Sequence, residues 1–203
     1  LSIPGLAPTN YLIIQGSTNE AAGGTVFTNS SGAVIDLQSS RRVELRDLRL
    51  HGGNPGLLLT ESSSNRMFRV RSVGARDAFF LSSQSDRNQF IQCAALNFSS
   101  TGFHVARPTS FLIPSTTNFW SGGVMSSVAA GSNGYAVSTG ALLGVDSGRI
   151  YVSNSVFVAN GPGHVIYSVI PGVLHGDYNA YHQPHTNSLF AKGYDSSVLF
   201  GVS

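Results

Sequence analysis

The sequence is short of charge, lysine and cysteine, and each shortage removes a class of protein. Charged residues are only 11% of the 203, and a net charge of +2 is too small to hold nucleic acid by bulk electrostatics. The single cysteine, Cys93, excludes an internal disulfide framework. It lies in the apolar run Phe90-Ile-Gln-Cys-Ala-Ala-Leu96, which predicts a buried, unreactive thiol. No run of apolar residues reaches the length of a helical membrane span. No two acidic residues are adjacent, and the three glutamates, Glu20, Glu44 and Glu61, are scattered. A paired-carboxylate glycosidase site would have to be assembled across distant segments, and ten acids in all make a multi-carboxylate calcium site hard to build. There is no phosphate loop and no Gly-x-Ser-x-Gly elbow, so the sequence calls for no cofactor and no metal.

What is present is a short recurring pattern, a small residue followed by four of alternating character. It reads Gly32-Ala-Val-Ile-Asp36, Gly56-Leu-Leu-Leu-Thr60, Ala78-Phe-Phe-Leu-Ser82, Gly102-Phe-His-Val-Ala106, Gly134-Tyr-Ala-Val-Ser138 and Gly163-His-Val-Ile-Tyr167. The first four begin 24, 22 and 24 residues apart, and the later steps of 32 and 29 fit one turn plus an insertion. Repeats of this length mark a solenoid whose units bury their apolar faces against one another. A second strand set precedes the pattern, including Val43-Glu-Leu-Arg-Asp-Leu-Arg-Leu50, Arg66-Met-Phe-Arg-Val-Arg-Ser-Val73 and Gln89-Phe-Ile-Gln-Cys-Ala-Ala-Leu96. Phe68, Val70 and Val73 map onto Ile91, Cys93 and Leu96 at an interval of 23, which predicts stacked interior rows. Between strands lie small polar corners such as Gln38-Ser-Ser40, Glu61-Ser-Ser-Ser-Asn65 and Ser83-Gln-Ser-Asp86, whose side chains can bond backbone at sharp bends.

The expected fold is all-β: a right-handed, single-stranded parallel β-helix with rungs of about 23 residues. It is expected as one domain over residues 1–203, with rungs over about 10–170 and a closing segment over 171–203. In the interior, Leu59, Leu81, Val105, Val137 and Ile166 should form one row and Leu57, Phe79 and Phe103 its neighbour. Leu58, Phe80, His104, Ala136 and Val165 should form an outward column. That column needs a cover, either a sugar ring or the chain's own segments, with Asn118-Phe-Trp-Ser-Gly-Gly123 and the residues from Pro171 onward as candidates.

These rungs resemble the pectin-lyase-like superfamily of parallel β-helices. His175-Gly-Asp-Tyr-Asn-Ala-Tyr181 resembles the Asp-Tyr-Asn-Leu-Tyr segment near the end of many bacterial β-helix proteins of polysaccharide metabolism, and Gly193-Tyr-Asp-Ser-Ser-Val198 resembles the stretch that follows it. The resemblance implies a continuation Asp-Pro-x-Phe, whereas this chain stops at Gly201-Val-Ser203, so the expectation is a truncated piece of a larger chain. It also implies a secreted or cell-surface setting and a polysaccharide partner.

Eleven of the twelve basic residues are arginines, and eight of these fall between Arg41 and Arg76. Arg46, Arg49, Arg69 and Arg71 are expected to point outward on adjacent rungs. Guanidinium forks grip carboxylates and sulfates, so one reading is a binding surface for an acidic polysaccharide, to which the outward Phe80 and His104 would add sugar contacts. The other reading is a solvated face laced by weak ion pairs with Glu44, Asp47 and Asp77. The densest group of candidate catalytic side chains is His175, Tyr178 and His182, with Asp177, Tyr181 and His185 beside them. In the resembled superfamily, His and Tyr serve as base and acid of uronate lyases. The competing expectation makes Asp177 and Asn179 closers of a structural loop. A non-catalytic structural or adhesive solenoid is the alternative to polysaccharide binding.

Overall fold

A computed structural model of the chain describes residues 1–5, 7–17, 24–82, 84–106, 117–127, 135–139, 149–160, 165–168, 174–182 and 191–193. Its strands, numbered in chain order, form three sheets. Sheet A stacks β1 (Ser2–Pro4), β4 (Ile35–Gln38), β7 (Leu57–Thr60), β10 (Asp77–Ser82), β13 (Thr101–Val105), β16 (Tyr135–Thr139), β19 (Ile166–Ser168) and β22 (Ala191–Gly193). Sheet B stacks β2 (Leu12–Gln15), β5 (Val43–Arg46), β8 (Arg66–Phe68), β11 (Gln89–Ile91), β14 (Thr117–Ser121), β17 (Arg149–Ser153) and β20 (Leu174–Asp177). Sheet C stacks β3 (Thr25–Asn29), β6 (Leu48–Gly52), β9 (Arg71–Val73), β12 (Ala94–Phe98), β15 (Val124–Ser127), β18 (Val156–Val158) and β21 (Ala180–His182). Each strand pairs in parallel with the strand three places on, so the chain visits each sheet once per turn. No described residue is helical. This is a parallel β-helix, as the repeat predicts. Its turns begin with β1 and reach β22, so β20, β21 and β22 stack as a further turn where a closing segment is expected.

The interior is a set of aligned rows. On sheet A, Ile35, Leu57, Phe79 and Phe103 stand in register, and Leu37, Leu59, Leu81 and Val105 form the second row; all are buried. On sheet B, Leu45, Met67, Phe90, Trp120 and Val152 follow one another. Phe79, Phe90, Phe103 and Trp120 meet across the interior with ring centroids 4.8 to 5.9 Å apart, mostly edge to face, which is how large rings pack without voids. Burial of each such side chain contributes roughly 1.5–3 kcal/mol. Cys93 is part of this core, and burial pushes its thiol up to about 12, which makes it inert at neutral pH.

Several placements differ from expectation. In β16 and β19, Val137 stands opposite Phe103 and Ile166 opposite Val137, in the row of Leu57 rather than that of Leu59. Val165 is fully buried instead of outward, and Ser138, not Ala136, stands opposite His104. Trp120 is a core residue of β14, so the 118–123 segment is a rung and not a cover. On β8 and β9 the interior residues are Met67, Val70 and Ser72, while Phe68 and Val73 are only half-buried.

The reason lies at the corners. Between sheets B and C each turn inserts a residue in the left-handed region: Asp47, Arg69, Gln92, Gly122, Asn154 and Tyr178. Such a residue re-aims the chain and breaks the alternation that a continuous strand would have. Its amide donates to the next turn, as in Arg69 to the Ile91 carbonyl at 3.0 Å and Gln92 to the Ser121 carbonyl at 2.8 Å. Between sheets A and B the corner is held by buried side chains. Asn65, Asn88 and Asn118 form a ladder in which each Nδ2 donates to a Ser carbonyl in the corner one turn back, from Ser40, Ser62 and Ser85, at 2.9 to 3.0 Å. Ser40, Ser62 and Ser85 form a parallel ladder, their hydroxyls donating to the carbonyls of Ile3, Leu37 and Leu59 at 2.9 to 3.0 Å. Each polar corner read in the sequence thus turns one or two residues inward, Ser40, Ser62 with Asn65, and Ser85, and these bond across turns as well as within their own bend.

Candidate functional site

Alternation places every second strand residue on the outer surface, and each sheet presents its own outer face. The register divides the sequence-predicted residues among all three. Arg46 and His175 lie on the outer face of sheet B. Arg49 and Arg71 face outward side by side on sheet C, where His182 stands opposite Val158 several turns on. Phe80 and His104 are neighbours on sheet A. Arg69 and Tyr178 occupy the corner between sheets B and C.

The arginines are therefore not one column. The Nε of Arg46 donates to Glu44 Oε1, and this bond, chiefly, raises the guanidinium's affinity for its proton. Arg69 grips Asp47 with both arms, Nε to Oδ1 at 2.6 Å and Nη2 to Oδ2 at 3.0 Å, and lies over the Phe68 ring at 4.3 Å. The Arg69 fork holds the Asp47 carboxyl below the usual carboxylate range. Two of the four expected ligand-binding arginines are thus committed to carboxylates of their own chain.

The His175–Tyr178–His182 group is not brought together as a catalytic set. His175 stacks flat on Tyr151, centroids 4.7 Å apart, and Tyr151 stacks on Phe119 at 5.4 Å. These rings follow the register of β14, β17 and β20, so their faces are occupied by one another and their edges point outward. Tyr178 is the corner residue of its turn and 81% exposed. His182 lies beyond that corner on another sheet. Asn179 closes the corner: its Oδ1 accepts from the Ser155 amide and its Nδ2 donates to the Val152 carbonyl, both at 3.0 Å. Asp177 contributes its backbone carbonyl to the Asn154 amide, while its residue is exposed. His185 lies outside the described residues. Among the described residues, no cluster of three or more His, Cys, Asp and Glu side chains is arranged to hold a metal ion.

On sheet A, the Phe80 and His104 rings meet edge to face, centroids 4.6 Å apart. Burial holds the His104 imidazole below its usual pKa, partly opposed by the charge of Asp77.

Among the described residues, one outer groove lies on sheet B. Glu44, Arg46, Arg66, Phe68, Gln89 and Ile91 line an outer groove of about 410 Å³ across β5, β8 and β11. Its two sides differ by register. Glu44, Arg66 and Gln89 form a polar column, and beside it Arg46, Phe68 and Ile91 run from charged to apolar. Three strands at about 4.8 Å spacing give a groove roughly 10 Å long, parallel to the solenoid axis. Arg66 and Gln89 are site residues that the sequence reading misses. The signal was there: Glu44, Arg66 and Gln89 recur at 22 and 23 residues, the period of the turn, with polar character kept at one phase. No family model, curated protein or solved structure matches the chain.

Proposed function

We propose that the protein binds polysaccharide along the outer face of sheet B, with a preference for acidic chains and in a secreted or cell-surface setting. The observation that carries this reading is the two-sided groove. Sugars present apolar C–H faces and polar edges, and here Phe68 and Ile91 offer the apolar contact while Arg66, Gln89 and Glu44 offer donors and an acceptor. Of the charged residues lining it, two are arginines and one is a glutamate, leaving one net positive charge to favour an anion. The resemblance of the rungs and of the Asp177-Tyr-Asn179 segment to the pectin-lyase-like superfamily points toward the same class of partner.

Catalysis has less support than binding, because His175, Tyr178 and His182 serve three different surfaces. A structural or adhesive solenoid is favoured by one specific observation: the faces of Phe119, Tyr151 and His175 are spent on one another, which stiffens the stack and leaves no free ring face between them. Binding separates the two readings. Affinity electrophoresis of the full chain in polygalacturonate, dextran sulfate and dextran should show retardation in at least one acidic polymer and little in dextran. Phe68→Ala with Gln89→Ala should remove that retardation while the melting curve stays cooperative. Equal mobility in all three gels, or retardation untouched by the double variant, contradicts binding in this groove.

A further inference from the structure

The groove contains two arginines in different states. Arg46 is spent on Glu44, whereas Arg66 makes no hydrogen bond or ion pair among the described residues. The Arg66 guanidinium instead lies over the ring of Tyr11, 4.5 Å from its centroid. A cation–π contact supplies no acceptor oxygen, so it leaves the guanidinium's charge-assisted hydrogen bonds still to be made. The backbone that leads to Tyr11 is tied to the neighbouring turn, because Arg42 Nη1 donates to the carbonyls of Thr9 at 2.8 Å and Pro8 at 3.3 Å. Arg66 is thus a charged fork packed on an aromatic ring, with no hydrogen-bond acceptor of its own among the described residues, in the wall of a groove.

We propose that Arg66, oriented by Tyr11, recognises the anionic group of the bound glycan, a carboxylate or a sulfate ester, through a bidentate contact. This rests on the glycan reading of the groove and adds which residue selects acidic chains. The competing arginines are less fit for the role. Arg46 and Arg69 carry charges already partnered by Glu44 and Asp47, which weakens their pull on a further anion, and Arg49 and Arg71 lie on sheet C away from the groove. Glu44 stands opposite Arg66 in register, but its charge is matched by Arg46 and does not occupy the Arg66 fork.

The test uses the full chain with polygalacturonate as the carboxylate probe, dextran sulfate as the sulfate probe and dextran as the neutral control. Arg66→Gln should weaken binding of the acidic probe about tenfold or more, as expected for a lost charged hydrogen-bond pair, and leave dextran unchanged. Arg66→Lys, which keeps the charge and loses the fork, should recover only part of it. Tyr11→Phe keeps the ring and should bind like wild type; Tyr11→Leu should weaken acidic binding severalfold. Acidic binding that survives Arg66→Gln but falls in Arg46→Gln overturns the assignment and leaves the glycan reading standing. If wild type binds neither acidic polymer, the glycan reading fails, and the arginine Nε–H NMR signals decide the rest. On titration with sodium acetate and sodium sulfate, the Arg66 signal should move before those of Arg46 and Arg69, and less so in Tyr11→Leu. Movement no larger than that of Arg46 refutes the proposal.

Discussion

Replacing Asn88 with alanine tests the corner that positions the groove's strands. Asn88 is fully buried between β10 and β11. Its Oδ1 accepts from the Asn65 amide and from Asn65 Nδ2, both at 3.1 Å, and its Nδ2 donates to the Ser62 carbonyl at 2.9 Å and to Asn118 Oδ1 at 3.1 Å. Alanine removes all of these contacts. Asn65 Nδ2 keeps the Ser40 carbonyl and Asn118 Oδ1 keeps the Asn88 amide, so the groups left without a partner are the Asn65 amide and the Ser62 carbonyl. Each orphaned buried group costs roughly 1–3 kcal/mol, and the weakened ladder adds about 1 kcal/mol, for a loss of about 3–7 kcal/mol. That is a large share of a typical 5–15 kcal/mol and should lower Tm by about 6–28 °C. Circular dichroism melting and urea titration should both report it, with Ser99→Ala, an exposed loop serine, staying within about 0.5 kcal/mol. Asn65→Ala combined with Asn88→Ala should cost less than the sum, because the two share bonds. An Asn88→Ala protein as stable as wild type would refute the claim that the ladder carries the corner.

Two further outcomes follow. Asn179→Ala should destabilise by about 1–3 kcal/mol in the same melts, since it strips partners from the Ser155 amide and the Val152 carbonyl, whereas Asp177→Ala should be nearly neutral; the reverse order would mean that the carboxylate closes the corner. His104, held neutral by burial below its unfolded pKa of about 6.5, contributes stability that is present above that pH and lost as pH falls through the lower folded value, so wild-type Tm should drop on acidification by more than that of His104→Phe between about pH 7 and 5; parallel curves would show that His104 is not desolvated.

The repeat was legible because interior rows must place apolar side chains at one phase of every turn, and Leu59, Leu81 and Val105 do so. The phase itself was less legible. Phe68 reads as core because it is large and apolar, yet Met67 is inside; Ser72 is buried where Val73 looks the better candidate. Corner residues such as Arg69 shift the alternation by one, and nothing in a left-handed arginine announces itself in sequence. The same uncertainty hid the site. Arg46 is recognisable as outward, but that Arg66, Phe68, Gln89 and Ile91 share its groove depends on inter-turn register, as does the meeting of Arg66 with Tyr11, which lies two turns back beside β2. The expected Arg46–Arg49–Arg69–Arg71 column failed for the same reason, because a corner separates Arg46 from Arg49.

The proposed glycan surface is the outer face of sheet B, and not that of sheet A or C. Three double variants divide the surface accordingly: Arg46→Gln with Arg66→Gln on sheet B, Arg49→Gln with Arg71→Gln on sheet C, and Phe80→Ala with His104→Ala on sheet A. The first two remove the same charge, so bulk electrostatics cannot distinguish them. Calorimetric titration with the acidic polymer that wild type binds, at two salt concentrations, should show affinity and salt dependence lost in the sheet B variant and kept in the other two. Equal loss in the sheet B and sheet C variants, or loss confined to sheet A, would contradict the claim.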